Sequence, residues 1–253
     1  DMKHHLTMLL TAVALATSAP SAHAGVAAAD ASPGVVSIGR GADQVLLMRP
    51  TGPVRVIVVF LHGWTTGAPT NWAPWLSHLR AGGALVIYPR FQSGRGDTAQ
   101  TALVHLRHGI VAAFGRLGVV HVPVVTLGKS YGGAAVFDYA GEARTWGVPA
   151  PVAVVSIFPA YPTGPLPPAL APNVFAEVMV GDADTIAGTG GANTFWSWLR
   201  RHPAADKRYI TVRSRPGFTA THESAQLATP IARAVFWRPF DALLARVRAG
   251  ATP

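Results

Sequence analysis

"GKSYGG", residues 128–133, sets Ser130 between Gly128 and Gly132 in the pattern G-x-S-x-G. The pattern alone is weak: with 26 Gly and eleven Ser in 253 residues, chance flanking yields about 0.1 matches of this kind. Its surroundings carry more weight. Upstream, "VPVVTLG" (122–128) reads as a buried strand, and downstream "SYGGAAVFDYAGEA" (130–143) reads as a helix opened by glycines. A serine on the sharp turn between the two has the setting of a nucleophile elbow. The turn strains the serine backbone and brings chain segments close, so its neighbours at 128 and 132 must be small. The hydroxyl then projects from the carboxyl end of the sheet, beside helix N-terminal amides able to hold a developing oxyanion. A phosphate-binding loop is the competing reading of "GKS", and it fails because the upstream glycine at the required spacing is missing.

The same alternation extends both ways. "QVLLMRP" (44–50), "VRVIVVFLHG" (54–63), "ALVIYPR" (84–90), "PVAVVSIFP" (151–159), "VFAEVMVG" (174–181) and "RYITVRS" (208–214) are strand-like runs. "WAPWLSHLR" (72–80), "TAQTALVHLRHGIVAAFGRL" (98–117), "ANTFWSWLRR" (192–201), "SAQLATPIARAVFWR" (224–238) and "FDALLARVR" (240–248) have helical spacing. Repeated β–α units with β-branched strands predict an α/β fold, a mostly parallel sheet covered by helices on both faces. Ligands bind such sheets beyond the carboxyl ends of the strands, so that end filters the candidate residues.

A serine hydroxyl needs a base, and the base needs an orienting acid. For this elbow the chain order is Ser, acid, His. Of the ten histidines only His202 and His222 follow Ser130. His202 precedes the strand at 208–214 and falls at its amino end; His222, in "RPGFTATHES", follows that strand and is the candidate base. Eight acidic residues follow Ser130. Asp138 and Glu142 lie on the helix after the elbow, Glu177 inside a strand, Asp206 before one, Asp241 on the last helix, and Glu223 beside the base as a solvated neighbour. Only Asp182 and Asp184, in "VMVGDADTIAG", stand just past a strand's carboxyl end. One of them orients His222 and the other makes turn hydrogen bonds. The oxyanion donors are the backbone N–H of Tyr131, directly after the serine, and that of Trp64 in the loop "LHGWTTGAPTNW" (61–72).

Composition bounds the rest. An apolar fraction of 49% over 253 residues supports one sizeable core. The absence of cysteine excludes disulfides and thiolate metal sites. The start of the chain has a basic Lys3, an apolar run from Leu6 to Ala16 and small residues before Ala22-His23-Ala24. This is the layout of a secretory signal peptide over residues 1–24, and its apolar run is too short to span a bilayer. Residues 25–34 read as a flexible leader and 35–253 as a single domain. Formal charge is +9, but the basic residues are scattered without aromatic interleaving, so the reading is a basic surface with no nucleic-acid partner.

These residues resemble the secreted bacterial α/β-hydrolases related to cutinases and polyester hydrolases, and more broadly the dienelactone-hydrolase-like esterases. "GKSYGG" stands where that family has Gly-His-Ser-Met-Gly-Gly. "DADTIAG" resembles its acid loop Asp-Thr-Ile-Ala-Pro, which selects Asp184 over Asp182. "ATHESA" resembles its histidine loop, and "HGWTTG" its oxyanion loop, which makes Trp64 both amide donor and aromatic wall. The resemblance covers about residues 44–240. Departures are Lys129 for His, Tyr131 for Met and Gly188 for Pro, and the family's C-terminal disulfide cannot form without cysteine. Phe158 or Tyr161, in "IFPAYP", stands in the area of the family's substrate-stacking Trp.

The resemblance implies an α/β-hydrolase fold, and the lack of a long insertion between the central strand and His222 predicts that it has no large lid. The resemblance also implies a serine esterase with the triad Ser130, Asp184 and His222, and a substrate wall of Trp64, Tyr131 and Phe158. Such an enzyme needs no cofactor and no metal. Short-chain esters and polyester chains are the expected substrates, and a secreted monomer without stable membrane insertion is the expected form. A secreted acyltransferase with the same triad and a non-catalytic hydrolase-fold binding protein are the alternatives.

Overall fold

The structure is a computed structural model, which describes residues 34–92, 94 and 96–250. The expected signal peptide and residues 25–33 of the leader lie outside the described residues. Eight strands form one sheet: β1 (Val35–Ile38), β2 (Val45–Met48), β3 (Val56–Leu61), β4 (Ala84–Pro89), β5 (Val124–Lys129), β6 (Ala153–Ile157), β7 (Phe175–Gly181) and β8 (Lys207–Val212). Their spatial order is β1-β2-β4-β3-β5-β6-β7-β8. β2 runs antiparallel to both β1 and β4, and every later pairing is parallel.

The apolar runs of β3 to β7 are buried throughout because helices cover both faces. Alternation along β3 separates the two layers. Val56, Val58 and Phe60 share a core with Trp72, Trp75 and Leu79 and with Phe240 and Leu243 near the C-terminus. Ile57, Val59 and Leu61 share the other with Leu106 and Ile110, with Ala134 and Val136, and with Phe195. The first layer is built by α1 (Ala73–Ala81) and the C-terminal helix. The second is built by α2 (Ala99–Leu117), α3 (Tyr131–Glu142) and α4 (Gly190–Trp198). Among the described residues, no helix is long and apolar enough to cross a membrane.

Two differences from the sequence reading have physical causes. β1 lies just past the expected leader, and its two central residues are exposed; four residues at a sheet edge leave little periodic signal. The helix expected over 224–238 does not begin at 224. A single 3-10 turn, Ser224–Gln226, is followed by extended backbone at Leu227. Helix resumes only where the Thr229 side chain caps Ala232 N–H and Pro230 takes the first turn. From there α5 (Pro230–Ala232), a π-helical turn (Arg233–Trp237) and α6 (Arg238–Arg248) run on as one. Pro239 has no N–H to return to the preceding turn, and the widened turn accommodates that.

Candidate active site

Ser130 leaves β5 with φ 60° and ψ −119°, a region that L residues occupy only when their surroundings enforce it. The enforcement is visible. Ser130 N–H donates to Ile157 O at 2.9 Å, and Ser130 O accepts from Ala134 N at 3.1 Å and Ala160 N at 3.0 Å. Both flanking glycines are dictated by contact. A Cβ on Gly128 would stand 2.2 Å from Gly132 O, and one on Gly132 would stand 2.2 Å from Leu61 O. Strand, elbow and helix are thus pressed together at backbone level, and no side chain fits between them.

The candidate base and acid come from the ends of the last two strands. His222 Nε2 lies 2.9 Å from Ser130 Oγ, and its Nδ1 lies 2.8 Å from Asp184 Oδ2. An ionised carboxylate only accepts, so the proton sits on Nδ1 and Nε2 is left to accept from the serine hydroxyl. Asp184 is fixed in turn: its Oδ1 accepts from Ile186 N at 2.9 Å and Ala187 N at 3.0 Å. Gly188 closes this loop at φ +56°, a conformation open to glycine at no steric cost. Asp184 and His222 are buried while Ser130 is half-buried, so the proton relay is shielded but the hydroxyl is reachable.

Asp182 has a different task. Its carboxylate accepts from Ser214 N at 2.9 Å and from Ser214 Oγ at 2.5 Å, and Ser214 Oγ accepts from Ala220 N at 3.0 Å. The chain from Asp182 through Ser214 to Ala220 pins the foot of the loop that carries His222. Gly181 lets the two loops meet, since a Cβ there would stand 2.2 Å from Ala220 O. His202 sits apart, its Nε2 donating to Val174 O at 2.7 Å before the start of β7.

Tyr131 is the first residue of α3, so its N–H has no intrahelical acceptor and opens beside Ser130. Gly63 packs against the elbow: a Cβ there would lie 3.3 Å from Ser130 Cβ. That contact brings the loop bearing Trp64 to the nucleophile. The Trp64 and Tyr131 rings meet edge to face at 5.1 Å, but Tyr131 is buried, with its OH donating to Ala99 O at 2.6 Å, so it offers little surface to a substrate and the expected wall reduces to half-buried Trp64. Phe158 does not share this wall. Its side chain is fully buried, set edge-on against Phe236 at 5.8 Å with the His222 ring at 6.3 Å. A ring with no accessible surface contacts no substrate, so Phe158 backs the His222 ring instead. Tyr161 and Ile186, by contrast, are exposed beyond β6 and in the acid loop.

Three supports were not read from the sequence. His62 is wholly buried and stacks on Phe91 at 3.8 Å. Its ring nitrogens face Gly63 O at 2.7 Å and Arg90 O at 2.6 Å. Burial pulls its pKa down to about 4, while the Gly63 and Arg90 carbonyls oppose that shift, because two acceptors are both satisfied only by the doubly protonated ring. Gln92 Oε1 accepts from Thr65 N at 3.1 Å, so the segment after β4 holds the loop after β3. Lys129, buried next to the nucleophile, reaches Glu223 beside the base, with Nζ 3.2 Å from both carboxylate oxygens. Burial lowers the Lys129 pKa, while Glu223 and then Asp184 oppose that shift. These pairings span long stretches of chain and leave no local pattern; His62-Gly63 was the one available signal.

Two turns into α3, Asp138 lies in a cavity of about 480 Å³ that it shares with Glu142, Arg107 and Trp146. Burial first, and then repulsion from Glu142, raise its carboxyl to about 7.

No family model matches the chain, and no curated protein matches it. Solved structures do. Thermogutta terrifontis esterase 2, phosphoramylated by tabun, superposes with a TM-score of 0.64 at 16% identity, over 85% of this chain and 95% of that one. MGS-M1, an alpha/beta hydrolase enzyme from a Medee basin deep-sea metagenome library, gives 0.59 at 15% identity, over 85% and 98%. A dienelactone-hydrolase-type protein from Klebsiella pneumoniae gives 0.56 at 16% identity, over 84% and 99%. With the mostly parallel eight-stranded sheet, these likenesses establish the α/β-hydrolase fold.

Proposed function

We propose that the protein is a serine carboxylic-ester hydrolase. The observation that carries this reading is the continuous relay from Ser130 Oγ through His222 to Asp184, at 2.9 and 2.8 Å, on a backbone held at positive φ. His222 Nε2 takes the hydroxyl proton as Ser130 Oγ attacks the ester carbonyl. Asp184 holds the imidazole tautomer and stabilises the cation that forms. The Tyr131 and Trp64 amides receive the oxyanion, each such donor being worth about 3–4 kcal/mol. His222 then protonates the departing alcohol, and water attacks the acyl-enzyme with the same histidine as base.

Trp64 on the loop after β3, with Tyr161 and Ile186 exposed on the loops after β6 and β7, offers apolar surface to the acyl or alcohol part. Short-chain esters and exposed polyester chains are the substrate classes that suit such a site. Export through the signal peptide, and action as a monomer, complete the proposal. Support comes from the triad geometry, the esterase neighbours of the fold and the motif resemblance.

The deciding experiment pairs hydrolysis of p-nitrophenyl butyrate with labelling by a fluorophosphonate. The expected result is turnover, a single adduct mapped to Ser130, and loss of both in Ser130→Ala. Unchanged turnover in that variant overturns the assignment. A second assay on aromatic polyester film divides the substrate classes, because hydrolysis of soluble esters without film erosion removes the polyester part. Ester product in place of free acid when alcohol is added identifies an acyltransferase.

A further inference from the structure

A second constellation lies towards the β1 edge of the sheet. The turn between β1 and β2 is a 3-10 helix, Gly41–Asp43, and it faces α2. Asp43 Oδ1 lies 2.8 Å from His105 Nδ1 and 2.9 Å from His108 Nδ1. The two histidines sit three residues apart, so one helical face presents both imidazoles in the same direction. All three ligand atoms fall within 4.8 Å of one another. β4 and β3 separate this turn from β5 and the Ser130 elbow.

We propose that Asp43, His105 and His108 form a binding site for one divalent transition-metal ion of the nickel, copper or zinc type. The donor set is the first reason. Two imidazoles and one carboxylate select borderline metals over magnesium or calcium, which favour all-oxygen sites. Spacing is the second. At metal–ligand bonds of about 2.0–2.1 Å, ligands at right angles stand about 2.9 Å apart and tetrahedral ligands about 3.4 Å apart. The observed 2.8 and 2.9 Å separations match each imidazole standing at right angles to the carboxylate oxygen around one ion, with the remaining positions open to water. A tetrahedral ion needs the carboxylate to open by only about 0.5 Å.

Accessibility is the third reason. The His105, His108 and Asp43 side chains are 30%, 56% and 46% exposed, so an ion and its waters reach them without unfolding. In the metal-free state both Nδ1–H groups donate to Asp43. On binding, each ring offers its Nδ1 lone pair to the ion in place of the hydrogen bond to Asp43. The ion would join two segments 62 residues apart in a chain that has no cysteine for a disulfide. It would therefore act as a clip between the start of β2 and α2.

Tag-free protein titrated with NiCl₂ and with ZnCl₂ by calorimetry tests this. One ion per chain is expected, with a dissociation constant in the micromolar range and a melting temperature raised by roughly 5 °C at about a hundredfold excess over that constant. His105→Gln and His108→Gln should each weaken binding by about tenfold or more, with unchanged melting in the absence of metal for the more exposed His108→Gln. His78→Gln, which alters the separate His78–Asp241 pair, should leave binding intact. Absence of heat and of a melting shift at millimolar metal overturns the site. So does undiminished binding in the His105→Gln/His108→Gln double variant.

Discussion

Ser130 and Phe158 occupy equivalent places and do opposite things. Each stands directly after a parallel strand, β5 and β6, and each extends the ladder by one bond. Ser130 N–H donates to Ile157 O and Phe158 N–H donates to Met179 O, both at 2.9 Å. Each has positive φ, 60° and 49°. Yet Ser130 turns a hydroxyl towards solvent, while Phe158 turns a ring into the core. What differs is the next step of the chain. After Ser130 a helix begins at once, seated by glycines; after Phe158 a proline-bearing loop passes underneath. That loop returns Ala160 N–H to Ser130 O at 3.0 Å, and Ser156 Oγ donates to Gly133 O at 2.6 Å. The second bend therefore braces the first. A strained residue at a strand exit is not by itself a reactive one; chemistry belongs to the bend whose side chain has a base and an opening.

The sharpest way to break this contrast is to put glycine at both bends. Ser130→Gly should lower ester turnover by roughly 10⁵-fold and raise stability by about 1 kcal/mol, because glycine relieves the strain. Phe158→Gly should unfold more easily despite the same relief, since the buried ring contributes about 3–5 kcal/mol. Steady-state kinetics and denaturant titration of the two variants would tell; similar stability changes would mean the bends are not opposites. Next, Gly132→Ala forces a methyl to 2.2 Å from Leu61 O and should destabilise by about 4 kcal/mol or more, which the denaturation midpoint reads. Phe158→Ala ranks slightly lower, at about 3 kcal/mol. Its folded fraction should keep turnover within about tenfold, because only the packing behind His222 is lost.

The smallest effect separates backbone strain from electrical strain in the helix that Ser130 opens. Asp138 has its pKa raised from 3.8 to about 7. Between those values the unfolded chain has released a proton that the folded chain still holds. The contribution of Asp138 is therefore fully present below the lower value and is lost as pH rises through the upper one. Asp138→Asn should show a flatter stability profile and be the more stable protein at pH 8, by about 2 kcal/mol. Parallel melting curves of the two proteins from pH 4 to 8 would deny this.

Much of the frame was legible. Continuous β-branched runs mark strands buried on both faces, and positions relative to strand ends single out Ser130, His222 and the pair Asp182 and Asp184, between which only the family resemblance chose. Asp182 and Asp184 were not separable by position, because both stand past β7; their difference lies in direction, towards Ser214 or towards His222. Lys129 and Glu223, 94 residues apart, meet only once the sheet exists. Phe158 is of a type that suits a substrate wall or a core equally well, and only burial distinguishes them. The Asp43 cluster was missed because His105-x-x-His108 is an ordinary helical spacing until a carboxylate is placed against it.

The distance along the chain between nucleophile and base has a consequence in time. Ser130 and His222 are 92 residues apart, and His222 follows the last strand to join the sheet. A chain growing from its N-terminus has the elbow's sequence long before it has the base. On the proposed function, catalytic competence is the last property such a chain acquires, because its base arrives only with the final segment.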